Sequence, residues 1–209
     1  IQELVAEEKI DSKTIGEMTQ ILAETVKKIS SIINGLKTFS RDGSQDRFDS
    51  APVKQIIETT LTLCGEKLKH GSVLVEIGPI AADLKIQCRS VQIFQVLLNL
   101  INNACDAIAG LDEKWIKISA QALADDVQIS ITDSGNGISE KIRTKLFQPF
   151  FTTKEIGKGT GLGLSISKGI IDAHKGTLTL DSTCKNTRFV LKLPAKQSPT
   201  DVSKIKKAA

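Results

Sequence analysis

The sequence predicts an α+β fold, a two-layer sandwich in which a mixed sheet packs on helices, and three observations point to it. Alternating apolar and polar residues at 115–122, 127–132, 177–181 and 188–193 read as strands adjacent in sequence, not alternating singly with helices as a doubly wound sheet requires. Segments 53–69 and 90–109 repeat their apolar residues at helical spacing. Glycine-rich loops join the elements: Asp133-Ser134-Gly135-Asn136-Gly137 follows a strand, and Gly157-Lys158-Gly159-Thr160-Gly161-Leu162-Gly163 leads into a helix ending at Ala173. The 209 residues leave room for one such domain with an appendage, or for two small domains.

The appendage comes first. Ile15, Met18, Leu22, Thr25, Ile29, Ile32, Leu36 and Phe39 recur at steps of three and four, with Glu17, Glu24, Lys27 and Lys28 off the seam. Asp11-Ser12 separates this helix from a shorter one carrying Ile1, Leu4, Val5 and Ile10, and either side chain can cap the second. So long a heptad stripe predicts a coiled-coil or bundle surface over 1–41; the alternative is one amphipathic helix lying on its own domain. The polar segment 42–50 is the expected connector.

The main domain is expected over 51–194. Pro52, at a first helical position, opens a helix with Ile56, Ile57, Thr60, Leu61 and Cys64 on one side. Strands at 72–77 and 84–88 follow, joined through Gly78-Pro79. The helix 90–109 is expected to turn Phe94, Leu97, Leu98, Ile101, Cys105 and Ile108 to the core, while Gln95, Asn99, Asn102, Asn103 and Asp106 recur on the other face. No Lys or Glu interrupts that polar face, although solvated faces are rich in both. Carboxamides both donate and accept hydrogen bonds and tolerate partial burial beside a ligand. Their oxygens also suit a Mg²⁺ held mainly by phosphates and water. An ordinary solvent-facing amide stripe is the alternative. Pro194 ends the last strand, and a disordered basic tail is expected over 195–209.

Several function classes are disfavoured. The net charge of +4 is mild and concentrated in the tail, basic residues are not interleaved with aromatics, and Tyr is absent, so there is no nucleic-acid footprint. Cys64, Cys88, Cys105 and Cys184 are scattered without metal-ligand spacing, which favours a reducing compartment. No apolar run approaches a membrane span and no leader opens the chain, which begins at Ile1 inside an apparent helix and reads as part of something longer.

The glycine loops speak for a ligand. A loop ending at a helix N-terminus presents unobstructed backbone amides and a partial positive charge, which together suit a phosphate. Alone, Gly-x-Gly-x-Gly is also what a flexible turn looks like. No Gly-x-x-x-x-Gly-Lys-Ser/Thr occurs, and the glycines at 157–163 follow a Pro/Phe/Thr loop instead of the strand of a dinucleotide fold.

Taken jointly, Gln95-Val96-Leu97-Leu98-Asn99-Leu100-x-x-Asn103-Ala104, Asp133-x-Gly135-x-Gly137, Phe147-x-Pro149-Phe150 and Gly159-Thr160-Gly161-Leu162-Gly163-Leu164, in that order, closely resemble the ATP-binding catalytic domain of two-component sensor histidine kinases. That family belongs to the superfamily of gyrase, the heat-shock chaperone and mismatch-repair ATPases. The resemblance covers roughly 48–194. Thr152-Thr153-Lys154 is most similar to the nitrogen-regulatory subclass, and the heptad helix resembles the second helix of the dimerisation hairpin.

The resemblance implies that Asp133 accepts a hydrogen bond from the adenine amino group, with Thr187 supporting it through water. It implies that Gly135 and Gly137 admit the purine between Ile138 and Ile108. Asn103, with Asn99, is implied as the holder of Mg²⁺. The amides around Gly159, Gly161, Leu162 and Gly163 are implied to cradle the phosphates, with Lys154 near the terminal one; Asn103 and Lys154 are thereby the catalytic candidates. It implies homodimerisation, a response regulator receiver domain as partner, and a cytoplasmic location, with any membrane anchor in the parent protein. One departure stands out. Neither His70 nor His174 has the context of the family's phosphoacceptor, both reading as helix-terminal polar residues, so the acceptor is expected upstream of Ile1 and self-phosphorylation on it is not expected. The competing functions are a nucleotide-binding module without transfer activity and an ATPase of the chaperone or gyrase type.

Overall fold

The computed structural model describes residues 14–22, 48–155 and 159–196. Residues 14–22 are helical, and two residues of the heptad stripe, Ile15 and Leu22, are exposed there. The rest of the stripe, the break at Asp11-Ser12, most of the connector and the tail beyond Lys196 lie outside the described residues.

The domain runs β1 (Asp49–Pro52), α1 (Val53–His70), β2 (Leu74–Ile77), β3 (Lys85–Cys88), α2 (Ser90–Ala107), β4 (Trp115–Leu123), β5 (Asp126–Asp133), the short α3 (Glu140–Arg143), α4 (Gly163–Ala173), β6 (Thr177–Leu180) and β7 (Arg188–Pro194). Five strands form one sheet in the order β2-β4-β5-β7-β6, and β1 pairs with β3 in a separate ribbon. All pairs are antiparallel except β2 with β4. This is the mixed sheet on helices that the sequence predicts.

Alternation along the strands builds the core. Ile116, Ile118 and Ala120 of β4, Val127, Ile129 and Ile131 of β5, and Phe189, Leu191 and Leu193 of β7 are all buried. They meet across the ladder, Ile118 opposite Ile131 and Ile129 opposite Leu191. The alternate residues, such as Lys117, Gln121 and Lys192, are exposed or partly exposed on the other face, so the helices cover one side only. The alternation breaks at the end of β5, where Thr132 and Asp133 are both buried. A strand that buries a carboxylate at its tip is aimed at something other than the core.

Three local expectations are corrected. The connector does not reach residue 50, because Asp49 and Ser50 already pair with Cys88 and Gln87. Pro52 is the extended residue before α1 and not its first helical one: proline fixes φ, but pairing with Lys85 holds ψ at 124°. The two strands joined through Gly78-Pro79 enter different sheets. Gly78 N–H donates to the Ile118 carbonyl at 2.8 Å, keeping β2 along β4, while β3 turns away to β1. Finally, Leu97, Ile101, Cys105 and Ile108 of α2 are buried as expected, but Phe94 and Leu98 are only partly so, and Ile93, Val96, Leu100 and Ala104 join the buried face. That helix is covered from two sides, by α1 and α4, so its buried arc is wider than one apolar stripe.

Helices α2 and α4 run antiparallel and are clamped at two points. At one, the Arg89 backbone N–H before α2 donates to His174 Nε2 at 3.1 Å, and His174 Nδ1–H donates to the Ile170 carbonyl at 2.7 Å. One imidazole thereby serves a backbone N–H and a late carbonyl of two helix ends. The Phe48 ring meets His174 edge-on at 5.0 Å and lies under the Arg89 guanidinium at 4.6 Å. At the other clamp, Asn99 Nδ2 donates to the buried Ser167 Oγ at 2.9 Å.

Burial pushes the His174 imidazole below its ordinary pKa, aided by Arg89 and opposed by the bond to Ile170. A histidine so depressed contributes its full stability above the unfolded value, about 6.5, and that contribution is lost as pH falls through the folded value. Thermal unfolding followed from pH 7.5 downward should show the melting temperature declining below about pH 6.5, with the His174 ring resonances titrating lower than that. A His174 titration at or above the ordinary value would contradict the clamp.

Candidate active site

A cleft of about 1300 Å³ opens between α2, the end of β5, the loops on either side of the short α3 and the start of α4. It exceeds the roughly 300–1,000 Å³ of common small-molecule pockets, and its two ends differ in chemistry.

One end is built on the tip of β5. Asp133 is 3% exposed, its Oδ1 accepts the Gly135 N–H at 2.8 Å, and the Thr187 hydroxyl hydrogen-bonds to the same carboxylate. Backbone bonds tie the loop to the start of β7: Asp133 N–H to the Thr187 carbonyl at 3.0 Å and Thr187 N–H to the Gly135 carbonyl at 3.3 Å. Asn186 Nδ2 donates to the same Gly135 oxygen at 3.2 Å. Burial pushes the Asp133 carboxyl up, against the downward pull of Gly135 and Thr187. Gly137 and Ile138 line the cleft with them. An acceptor held this firmly at a pocket wall suits an amino group of a planar ligand. Ile108 is not part of this wall: it is fully buried beneath it, at the end of α2.

The other end is built on α2 and the approach to α4. Asn99, Asn103, Lys154, Gly159, Gly161 and Gly163 line it, while Leu162 is buried and does not. Gly161 has φ +66°, and a Cβ there would lie within 2.6–2.8 Å of the Phe150 carbonyl oxygen and Cα and closer still to the carbonyl carbon. Phe150 itself sits at φ +65°, so the loop folds tightly against itself and only glycine fits. A Cβ on Gly163 would collide with the Asn99 carboxamide oxygen; the missing side chain lets α4 begin directly against α2. Asn99 is thus occupied in packing, whereas Asn103 Oδ1 faces the cleft and receives the Lys154 ammonium at 3.4 Å. A single carboxamide oxygen beside a cation, at the mouth of a helix N-terminus, fits a phosphate chain with a hard metal ion. Among the described residues no group of three or more His, Cys, Asp or Glu could hold a metal without such a ligand.

Asp106, expected only as part of the polar face of its helix, and Lys67, not singled out in the sequence, both have a part here. Asp106 accepts from Lys154 Nζ at 2.5 Å and from Lys67 Nζ at 2.6 Å. As the only acid on an amide stripe, Asp106 carried a signal; Lys67, on another helix, carried none. The two histidines line no part of the cleft. His174 is fully buried, and His70 Nδ1 donates to the Glu66 carbonyl at 2.8 Å.

The family model for histidine kinase-, DNA gyrase B- and HSP90-like ATPases matches residues 88–197. Two-component sensor PprA of Pseudomonas aeruginosa is 30% identical over 88% of this chain and 20% of its own length. Sensor protein FixL of Bradyrhizobium diazoefficiens is 35% identical over 83% of this chain and 34% of its own. The chain therefore spans a fifth to a third of these relatives. Among solved structures, the catalytic domain of histidine kinase ThkA aligns with a TM-score of 0.65 at 32% identity, covering 71% of this chain and 95% of that one. ThkA in complex with response regulator protein TrrA aligns with a TM-score of 0.72 at 26% identity, covering 90% of this chain and 53% of that one.

Two outcomes follow from the geometry. Gly161→Ala is expected to cost more than about 1 kcal/mol of stability, whereas Gly110→Ala, with open space around its Cβ position, should leave the melting temperature nearly unchanged; equal effects would refute the constraint at Gly161. The second concerns Asp133. A carboxyl whose folded pKa is raised contributes its full stability below the unfolded value, near 3.8, and loses it as pH rises through the folded value. Asp133→Asn keeps an oxygen for Gly135 and removes the buried charge. At pH 7 the ligand-free variant should melt a few degrees above wild type, with the gap closing toward pH 4; an equal or lower melting temperature at pH 7 would contradict the burial cost.

Proposed function

Because the chain belongs to the histidine kinase-, DNA gyrase B- and HSP90-like ATPase family, as the catalytic domain of a sensor histidine kinase, we propose that it binds ATP with Mg²⁺ and donates the γ-phosphate to a histidine outside the described fold, from which a response regulator aspartate takes it. The observation that carries this reading is the pairing of a buried acceptor, Asp133, with a glycine-lined helix N-terminus across one cleft.

The Asp133 carboxylate accepts the adenine amino hydrogen, and guanine, with an oxygen at that position, has no proton to offer it. Thr187 and the Gly135 N–H hold the carboxylate in place. At the other end, the N-terminus of α4 faces the phosphates and Lys154 meets the terminal one. Asn103 Oδ1 is the protein's ligand to the metal, with Asn99 supporting it through packing. Magnesium, when bound, neutralises phosphate charge during transfer. The acceptor histidine is neither His174, which is buried with both ring nitrogens engaged, nor His70, which lies outside the cleft. Dimerisation through the heptad helix, membership of the nitrogen-regulatory subclass and a cytoplasmic location beside the ATP supply belong to the same proposal; no helix among the described residues is long and apolar enough to cross a membrane.

Calorimetric titration tests it. ATP with Mg²⁺ should bind wild type and bind Asp133→Asn about 10- to 100-fold more weakly, since a hydrogen bond to a charged group is worth roughly 1.5–3 kcal/mol. Asn103→Ala should lose affinity chiefly when Mg²⁺ is present. Equal binding by all three proteins would remove the nucleotide reading. Radiolabelled ATP and a histidine-bearing dimerisation hairpin then test transfer; tight binding without label on histidine would leave a binding module only.

A further inference from the structure

Asp106 sits one turn beyond Asn103 on α2 and holds two ammonium groups at once, Lys154 Nζ at 2.5 Å and Lys67 Nζ at 2.6 Å. Lys154 comes from the loop that walls the phosphate end and also lies 3.4 Å from Asn103 Oδ1. Lys67 comes from α1 and lies 3.4 Å from the Asn102 carbonyl. All three charged side chains are partly exposed, between 34% and 43%, so they are neither free in solvent nor locked in the core. The arithmetic of charge matters: two cations share one anion. If Lys154 leaves, Asp106 keeps Lys67 and no buried charge is stranded, so the departure costs little.

We propose that Asp106 is a positioning residue which parks the Lys154 ammonium beside Asn103 in the nucleotide-free protein and yields it to the terminal phosphate of ATP, while Lys67 stays behind as the counter-charge. This rests on the nucleotide reading of the cleft. It makes Asp106 a competitor for Lys154 and ties the exchange to ligands whose phosphate chain reaches that ammonium. Asp106 thereby tunes discrimination between tri- and diphosphate without touching either. The same competition keeps Lys154 from remaining beside a bound diphosphate, because Asp106 takes it back when the terminal phosphate is gone.

The test measures ATP and ADP affinity, with Mg²⁺, for wild type, Asp106→Asn, Lys154→Gln and the double variant. Asp106→Asn should tighten ATP binding by about three- to tenfold and ADP binding by less than about twofold; in the Lys154→Gln background the gain for ATP should vanish, as coupled neighbours require. Lys67→Met, a change at a half-exposed side chain, should act oppositely and weaken ATP binding, because Asp106 is left with Lys154 as its only cation. Weaker ATP binding by Asp106→Asn, or the same gain with and without Lys154, would overturn the proposal while leaving ATP binding by wild type intact. If wild type binds neither nucleotide, the underlying reading fails and this one with it.

Discussion

The closeness of α4 to α2 at Gly163 and Asn99 is the constraint on which the rest depends. With no Cβ between them, the carboxamide of Asn99 reaches the start of α4 and donates to the buried Ser167 hydroxyl. That fixes the first turn of α4, with its unsatisfied amides, beside the polar face of α2. The second clamp, at His174, stops the pair from splaying. From Arg89 to Asn99 is ten residues along α2, about 15 Å at the helical rise, and a comparable length of α4 separates His174 from its first turn. Two contacts that far apart fix both the spacing and the direction of the helices. The cleft is a consequence of this pairing: one end of it is the gap left where α2 continues past the start of α4 to Asn103 and Asp106.

The opposite end of the cleft is held by a different means. Asp133 stands at the last position of β5, where strand pairing on both sides, to Ile116 of β4 and through the Thr187 carbonyl beside β7, leaves it little freedom. A carboxylate so placed is costly to bury, and its two protein donors only partly offset the loss of water. Under the proposed nucleotide reading, a ligand amino group would complete the hydrogen bonding and offset that cost. Rigidity also serves selectivity: an acceptor that cannot turn away rejects a ligand presenting another acceptor there.

Much of this was legible in the sequence, and the gaps have physical causes. Strands with period two and helices with period 3.6 were read from side-chain pattern, so β4, β5, β6 and β7 emerged nearly at their observed bounds. The partner of β2 was not legible, because a parallel pairing across α2 leaves no local signature and a four-residue strand is short enough to pair either way. The face of α2 is wider than the expected stripe for a related reason: periodicity finds an apolar stripe, but coverage by both α1 and α4 sets how wide the buried arc is. Among the candidate site residues, Gly161 and Gly163 stood out in the sequence through the glycine-rich spacing before a helix, and the structure gives that spacing a steric reason, since a side chain at either position would collide with Phe150 or Asn99. Ile108 was assigned to the cleft by resemblance and lies behind it, since a helix end that reaches the core buries its last apolar residue. Lys67 could not be found at all, because its role comes from two helices packing together.

The end of the cleft beside α2 is lined by the carboxamides of Asn99 and Asn103 and by Lys154, with two acids, Asp106 and Glu155, among them. A cleft meant for a triphosphate would be expected to exclude carboxylates, since each repels the ligand. Asp106 nevertheless stands a single turn from Asn103, and the hydrogen bonds from Lys154 and Lys67 hold its carboxyl below the usual range although burial alone would raise it. Without it, the Lys154 ammonium would have no charged partner there, only the neutral Asn103 oxygen. With it, the ammonium is held beside Asn103, where the proposed terminal phosphate would arrive, at the expense of a competing anion that Lys67 half neutralises. The acid is therefore best understood as part of how the cation is presented.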